Sequence, residues 1–208
     1  MSENNSSRFT ARWVFPVDGP PIEHGVIEVV DGVISDVRPS RGPADSGGVD
    51  LGNVAILPGL INAHAHLEFS DLDAPIQPPA PFTDWIRSLM AHRRTRTPSL
   101  PELIKSGLQL SLAWGTSTVG DIVTGDWTPD CVTPFGPRTI AFRELIGLRP
   151  EQAAEQLEIA KQHIALCRNS PLPVQPAISP HAPYSVGLDL FHRLIEVAEA
   201  EDVPVCLH

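Results

Sequence analysis

The chain has 208 residues, 42% of them hydrophobic and 19% charged, with a formal net charge of −10. That composition suits a soluble globular protein long enough to bury a substantial core, and the absence of any Lys/Arg run longer than two residues excludes the basic footprint of a nucleic-acid binder. No apolar run approaches the ~20 residues of a membrane span, the polar N-terminus lacks the form of a secretory signal, and three scattered cysteines (Cys131, Cys167, Cys206) favour a reducing compartment over a disulfide framework, so the expectation is a cytoplasmic protein.

In chain order, residues 1–7 read as disordered and 9–15 as a short strand. Residues 25–30 and 33–37 are β-rich runs joined by Asp31-Gly32, a strong hairpin signal. A Gly/Pro/Ser-rich loop fills 39–48, and 54–57 is another short strand. Residues 1–57 therefore read as a small antiparallel β unit too short to close its own core well. From residue 58 to 208 strands alternate with helices, which implies a second domain built on a parallel sheet.

That domain opens with residues 58–70, PGLINAHAHLEFS, which read as a strand carrying two histidines to its C-terminal end. Side chains on a strand alternate, so Ile61, Ala63, Ala65 and Leu67 share an apolar face while Leu60, Asn62, His64 and His66 share the other. Two imidazoles two residues apart on one face can grip one metal ion. A bare pair also suits hydrogen-bonded core histidines; the Pro-Gly before it and the acidic loop after it favour metal. Glu68, by continued alternation on the face of His66, either contacts substrate or only solvates the loop.

A Pro-rich loop over 74–81 leads to a helix over 83–94 with Thr83 as N-cap, Trp85 as pocket wall or core residue, and Arg93, Arg94 and Arg96 as a solvated helix end. A second helix over 99–114 is capped by Ser99 and ended by Gly115. Then follow strands at 116–123 and 139–145, a helix at 151–168, a strand at 174–179, a helix at 188–200 and a last strand at 203–208. Asp121 and Glu144 lie near strand ends, where structural and rim positions suit them as well as chemistry does. His181, with Pro180 and Pro183 close on either side, suits a substrate contact or a structural turn. Pro204, Cys206 and His208 share one face of the last strand, which makes His208 a candidate third ligand and Cys206 a small inward-facing core residue. His24, His92, His163 and His192 read as surface or packing residues. Five such strands do not close an eight-fold barrel, so the expectation is the N-terminal portion of something longer.

PGLINAHAHLEFS, GTSTVGDI, SPHAPYS and the final PVCLH resemble the amidohydrolase superfamily, within it the cytosine deaminase and chlorohydrolase-like branch. HAHLEFS, FTDWIRSLMAHRR and FRELIGL are similar to the aminodeoxyfutalosine deaminase type of that branch. The resemblance implies an α/β fold: a (β/α)₈ TIM-type barrel, its first five or so strands present, preceded by the N-terminal half of a small β-sandwich. It implies one divalent ion, zinc or iron, held by His64, His66 and His208. His181 would touch the substrate ring, with Glu68, Trp85 and Glu144 near the pocket. The family's acid/base Glu, a His and an Asp would follow His208. The implied activity is hydrolytic deamination of a purine- or adenosine-like small molecule by metal-activated water. Hydrolysis of a cyclic amide or aryl chloride, or an inactive fragment, are the alternatives. No nucleic acid or membrane is an expected partner, and self-association is left open.

Overall fold

The computed structural model describes residues 6–77 and 81–207 and divides the chain into two compact units, Met1–Gly59 and Leu60–His208. Part of the Pro-rich loop and His208 itself lie outside the described residues.

The first unit is one five-stranded sheet. β1 (Ser6–Val14) pairs antiparallel with β2 (Ile22–Val30), and β2 with β3 (Val33–Pro39); β4 (Val49–Asp50) and β5 (Ala55–Ile56) run parallel to β1. Asp31 and Gly32 take φ of 51° and 79°, the left-handed pair that a two-residue hairpin turn requires. Ser6 and Ser7, read from sequence as disordered, belong to β1 and face Val30 and Val29 across the ladder. The core holds Ala11, Val14, Val26 and Ile27. The loop after β3 contains a 3₁₀ turn, Gly42–Asp45, whose Asp45 is buried and bound to the Arg38 guanidinium at 2.7 Å; that partner holds the carboxyl well below the usual carboxylate range.

The second unit is a parallel sheet whose strands follow sequence order: β6 (Leu60–Ala65), β7 (Thr116–Val123), β8 (Arg138–Leu145) and β9 (Val174–Pro180). α1 (Phe82–Thr95) and α2 (Leu100–Ala113) connect β6 to β7, α3 (Pro150–Arg168) connects β8 to β9, and α4 (Leu188–Ala200) follows β9. A 3₁₀ turn, Pro129–Cys131, stands between β7 and β8. This is the repeating pattern of a (β/α) barrel over four consecutive strands rather than a closed barrel. Ser99 and Glu102 form a capping box at the start of α2, and Gly115 follows it at φ 82°. α1 begins at Phe82, one residue ahead of the expectation: Pro81 is extended, with φ fixed by its ring, and its carbonyl accepts the amides of Asp84 and Trp85, so Thr83 sits inside the first turn.

Among the described residues the expected last strand is reduced to one bridge, Ile178 with Val205, made by Ile178 N–H to Pro204 O (3.1 Å) and Cys206 N–H to Ile178 O (3.0 Å). Along β9 the residues whose amides would extend that ladder are Pro176 and Pro180, neither of which has a hydrogen to donate. The prolines also fit there for the same reason.

The sheet has two apolar faces. Val119, Val123 and Ala141 pack with Leu67 and with Ile104 and Leu108 of α2, and Leu145 and Ile178 pack under α3 and α4. The opposite face carries Ile122, Phe142 and Ala177, with Ile140 and Cys206 beside them. Gly120 lies between β6 and Phe142: a Cβ there would stand 2.4 Å from the Ala63 carbonyl oxygen and 3.0 Å from the Phe142 ring. Among the described residues no helix is long and apolar enough to cross a membrane.

Candidate metal and substrate site

Ala65 packs with the helix-covered face of the sheet, so alternation turns His64 to the face of Ile122, Phe142 and Cys206, and His66, the first residue past the strand, keeps its ring against that of His64. Their rings lie edge to face with centroids 5.3 Å apart; the backbone amide of His64 donates to Asn62 Oδ1 at 3.2 Å, and the His66 ring stands 6.5 Å from that of Phe69. Cys206 brings its sulfur to 3.5 Å from His64 Nδ1, across 142 residues of sequence. His208, the expected third ligand, lies outside the described residues, and among those described no group of three or more metal-donor side chains forms.

The chain leaves the strand at Ala65 and turns through a 3₁₀ segment, Leu67–Phe69. Alternation therefore stops before Glu68. Its side chain is 4% exposed and is taken up by Arg93 Nη2 at 2.6 Å, Thr124 Oγ1 at 2.9 Å and Arg96 Nη1 at 3.3 Å. Arg96 also donates to the Glu68 carbonyl at 2.8 Å, and the Arg93 guanidinium lies 5.3 Å from the centroid of the Phe69 ring. Arg93 and Arg96 are thus not the solvated helix end read from sequence; they tie the end of α1 to the segment that follows His66, and only Arg94 of the three is exposed. Asp121 reaches the same segment from β7: its Oδ1 accepts the amide of Leu67 at 2.9 Å. Burial pushes its carboxyl up to about 7, against the pull of the Leu67 amide and with the Glu68 charge adding to the rise.

A second group gathers at the end of β9. His181 Nδ1 is 2.6 Å from Ser185 Oγ, which also donates to the Ala182 carbonyl at 3.1 Å. The other ring nitrogen of His181, Nε2, stands 3.9 Å from Glu144 Oε1. Tyr184 stands edge-on to the His181 ring at 5.7 Å. Glu144 and His181 thus approach each other at the ends of adjacent strands. Trp85 stacks on Phe82 within α1, ring centroids 5.8 Å apart. Sequence reading missed Arg93, Arg96, Thr124 and Ser185 as site residues. The last had a signal: it closes SPHAPYS four residues after His181.

The sequence profile of the amidohydrolase family matches residues 55–208. A 5-methylthioadenosine/S-adenosylhomocysteine deaminase of Nitratidesulfovibrio vulgaris is 26% identical over 200 residues, covering 90% of this chain and 44% of its own. An aminodeoxyfutalosine deaminase of Deinococcus radiodurans is 28% identical over 159 residues, covering 74% and 36% respectively. Among solved structures, the Helicobacter pylori aminofutalosine deaminase in complex with methylthio-coformycin superposes with a TM-score of 0.80 at 21% identity, over 97% of this chain and 50% of that one. An adenosine deaminase from Xanthomonas campestris with bound zinc gives 0.72 at 24% identity, over 97% and 48%. These likenesses speak to the fold. The chain spans less than half the length of the curated relatives it matches.

Proposed function

The chain belongs to the amidohydrolase family, and from that membership we propose that the whole protein is a metal-dependent aminohydrolase that releases ammonia from a small adenosine-like substrate. The observation that carries the reading is the pair His64 and His66 on one face of the sheet, rings 5.3 Å apart. Neutral imidazoles are borderline donors that suit zinc or iron. In this reading His208, two residues past Cys206, is the third ligand. A divalent ion so held supplies Lewis acidity and makes water a nucleophile near neutral pH.

This chain's own residues do the rest of what it contributes. Asp121 and the Glu68–Arg93–Arg96 cluster fix the backbone just after His66. His181, its Nδ1 tied to Ser185, presents Nε2 to a substrate ring, and Glu144 beside it accepts a hydrogen bond from an amino or hydroxyl group. Trp85 forms part of the pocket wall. In this reading Glu68 acts by bracing the segment rather than by touching substrate. The proton shuttle belongs to a carboxyl group beyond His208. The relatives' names, deaminases of 5-methylthioadenosine, S-adenosylhomocysteine and aminodeoxyfutalosine, support the adenosine-like class.

The test is ammonia release by the zinc-loaded product of the complete reading frame from adenosine, 5′-deoxyadenosine, 5-methylthioadenosine, S-adenosylhomocysteine and aminodeoxyfutalosine. Release from at least one is expected. Silence on all of them, with hydrolysis of a cyclic amide or an aryl chloride instead, overturns deamination.

A further inference from the structure

Cys206 is placed with more care than a core filler needs. Its amide is held by Ile178 O at 3.0 Å, its neighbours on the sheet are Ile122, Phe142 and Ala177, and its sulfur meets a ring nitrogen of His64 at 3.5 Å. That contact joins the start of the sheet to the segment beyond α4. We propose that Cys206 is a positioning residue for the metal site: its sulfur accepts the Nδ1–H of His64 and so presents Nε2 to the ion. The inference rests on the metal-binding reading of His64.

The chemistry runs through the tautomer. A neutral imidazole has one N–H and one lone pair. Only the Nδ1–H form leaves a lone pair on Nε2, and what accepts the Nδ1 proton decides both tautomer and ring orientation. In other metal sites that acceptor is a carboxylate or carbonyl oxygen; here a thiol sulfur stands at that nitrogen. Sulfur is a weak acceptor, so it holds the ring without adding charge beside the ion, and the site keeps the full Lewis acidity of neutral ligands. The acceptor is rigid because both its backbone and its apolar flank are fixed.

The experiment compares the complete protein with its Cys206→Ala and Cys206→Ser variants by cobalt and zinc titration, visible and near-ultraviolet absorption of the cobalt forms, and melting of the metal-free forms. Removing a partner that orients a ligating histidine weakens binding 10- to 100-fold elsewhere; for a weak acceptor the expected loss in Cys206→Ala is about tenfold, at the low end of that range. Cys206→Ser, which keeps an acceptor on a shorter bond, is expected to fall between. Metal-free melting is expected to stay close to wild type. Equal cobalt affinity in wild type and Cys206→Ala overturns the proposal while leaving the metal reading intact. So does a sulfur-to-cobalt charge-transfer band lost in Cys206→Ala, since it makes the thiolate a ligand. A wild-type protein that binds neither ion overturns the metal reading itself.

Discussion

Two buried ionisable side chains set measurable properties. His163 on α3 donates its Nε2–H to the Ala141 carbonyl, 2.9 Å away, with Trp127 beside it. Burial pulls its pKa from 6.5 down to about 4, the Arg143 charge pulling the same way and the Ala141 carbonyl resisting. The folded state therefore refuses a proton that the unfolded chain accepts below pH 6.5. The stability is intact above that pH and falls as the pH drops towards 4, by about 3 kcal/mol in all. Unfolding in urea at stepped pH checks this, and His163→Gln, which keeps a donor but cannot titrate, is expected to flatten that part of the profile. Glu68→Gln keeps an acceptor for Thr124 but removes the negative partner of Arg96 and Arg93, whose side chains are 14% and 30% exposed. A loss of about 3 kcal/mol in unfolding free energy is expected, the low end for breaking a buried ion pair. At this scale the sequence put His64 and His66 side by side, and their rings stand 5.3 Å apart. It misplaced Glu68 because a 3₁₀ turn ends strand alternation at Ala65, and it misread Arg93 and Arg96 because nothing local announces a buried carboxylate 25 and 28 residues away.

At the scale of elements, the position of β6 depends on a residue with no side chain. Gly120 lets the Ala63 backbone and the Phe142 ring close over β7. The nearest atom is backbone oxygen, so an added methyl displaces the strand itself. Gly120→Ala is expected to cost about 2 kcal/mol in stability and to weaken zinc binding with it, because β6 carries the histidines; zinc titration and thermal melting read both. The strands and helices themselves were largely legible. The Asp-Gly hairpin, the Ser99 cap and the apolar spacing of α3 and α4 are local signals with local causes. The bridge at Val205 was not, since its brevity depends on prolines in a different strand, Pro176 and Pro180, that face it only after folding.

For the molecule as a whole, the apolar clusters of the second unit include neither His64 nor His66, so the metal-free protein is expected to be folded. Zinc then adds stability by mass action: free zinc at 100 times its Kd is expected to raise unfolding free energy by about 2.7 kcal/mol. His66→Ala is expected to show no such rise, and a differential scanning trace with and without zinc and chelator measures both. The parallel order of four strands was foreseen from alternation of strand and helix.

The thiol and the imidazole that meet in this structure are 142 positions apart. During synthesis the histidine pair leaves the ribosome long before Cys206 does, so this contact is among the last the sheet can make. An ion that relied on it is therefore expected to bind only once Cys206 has been added and the segment after α4 has reached β9.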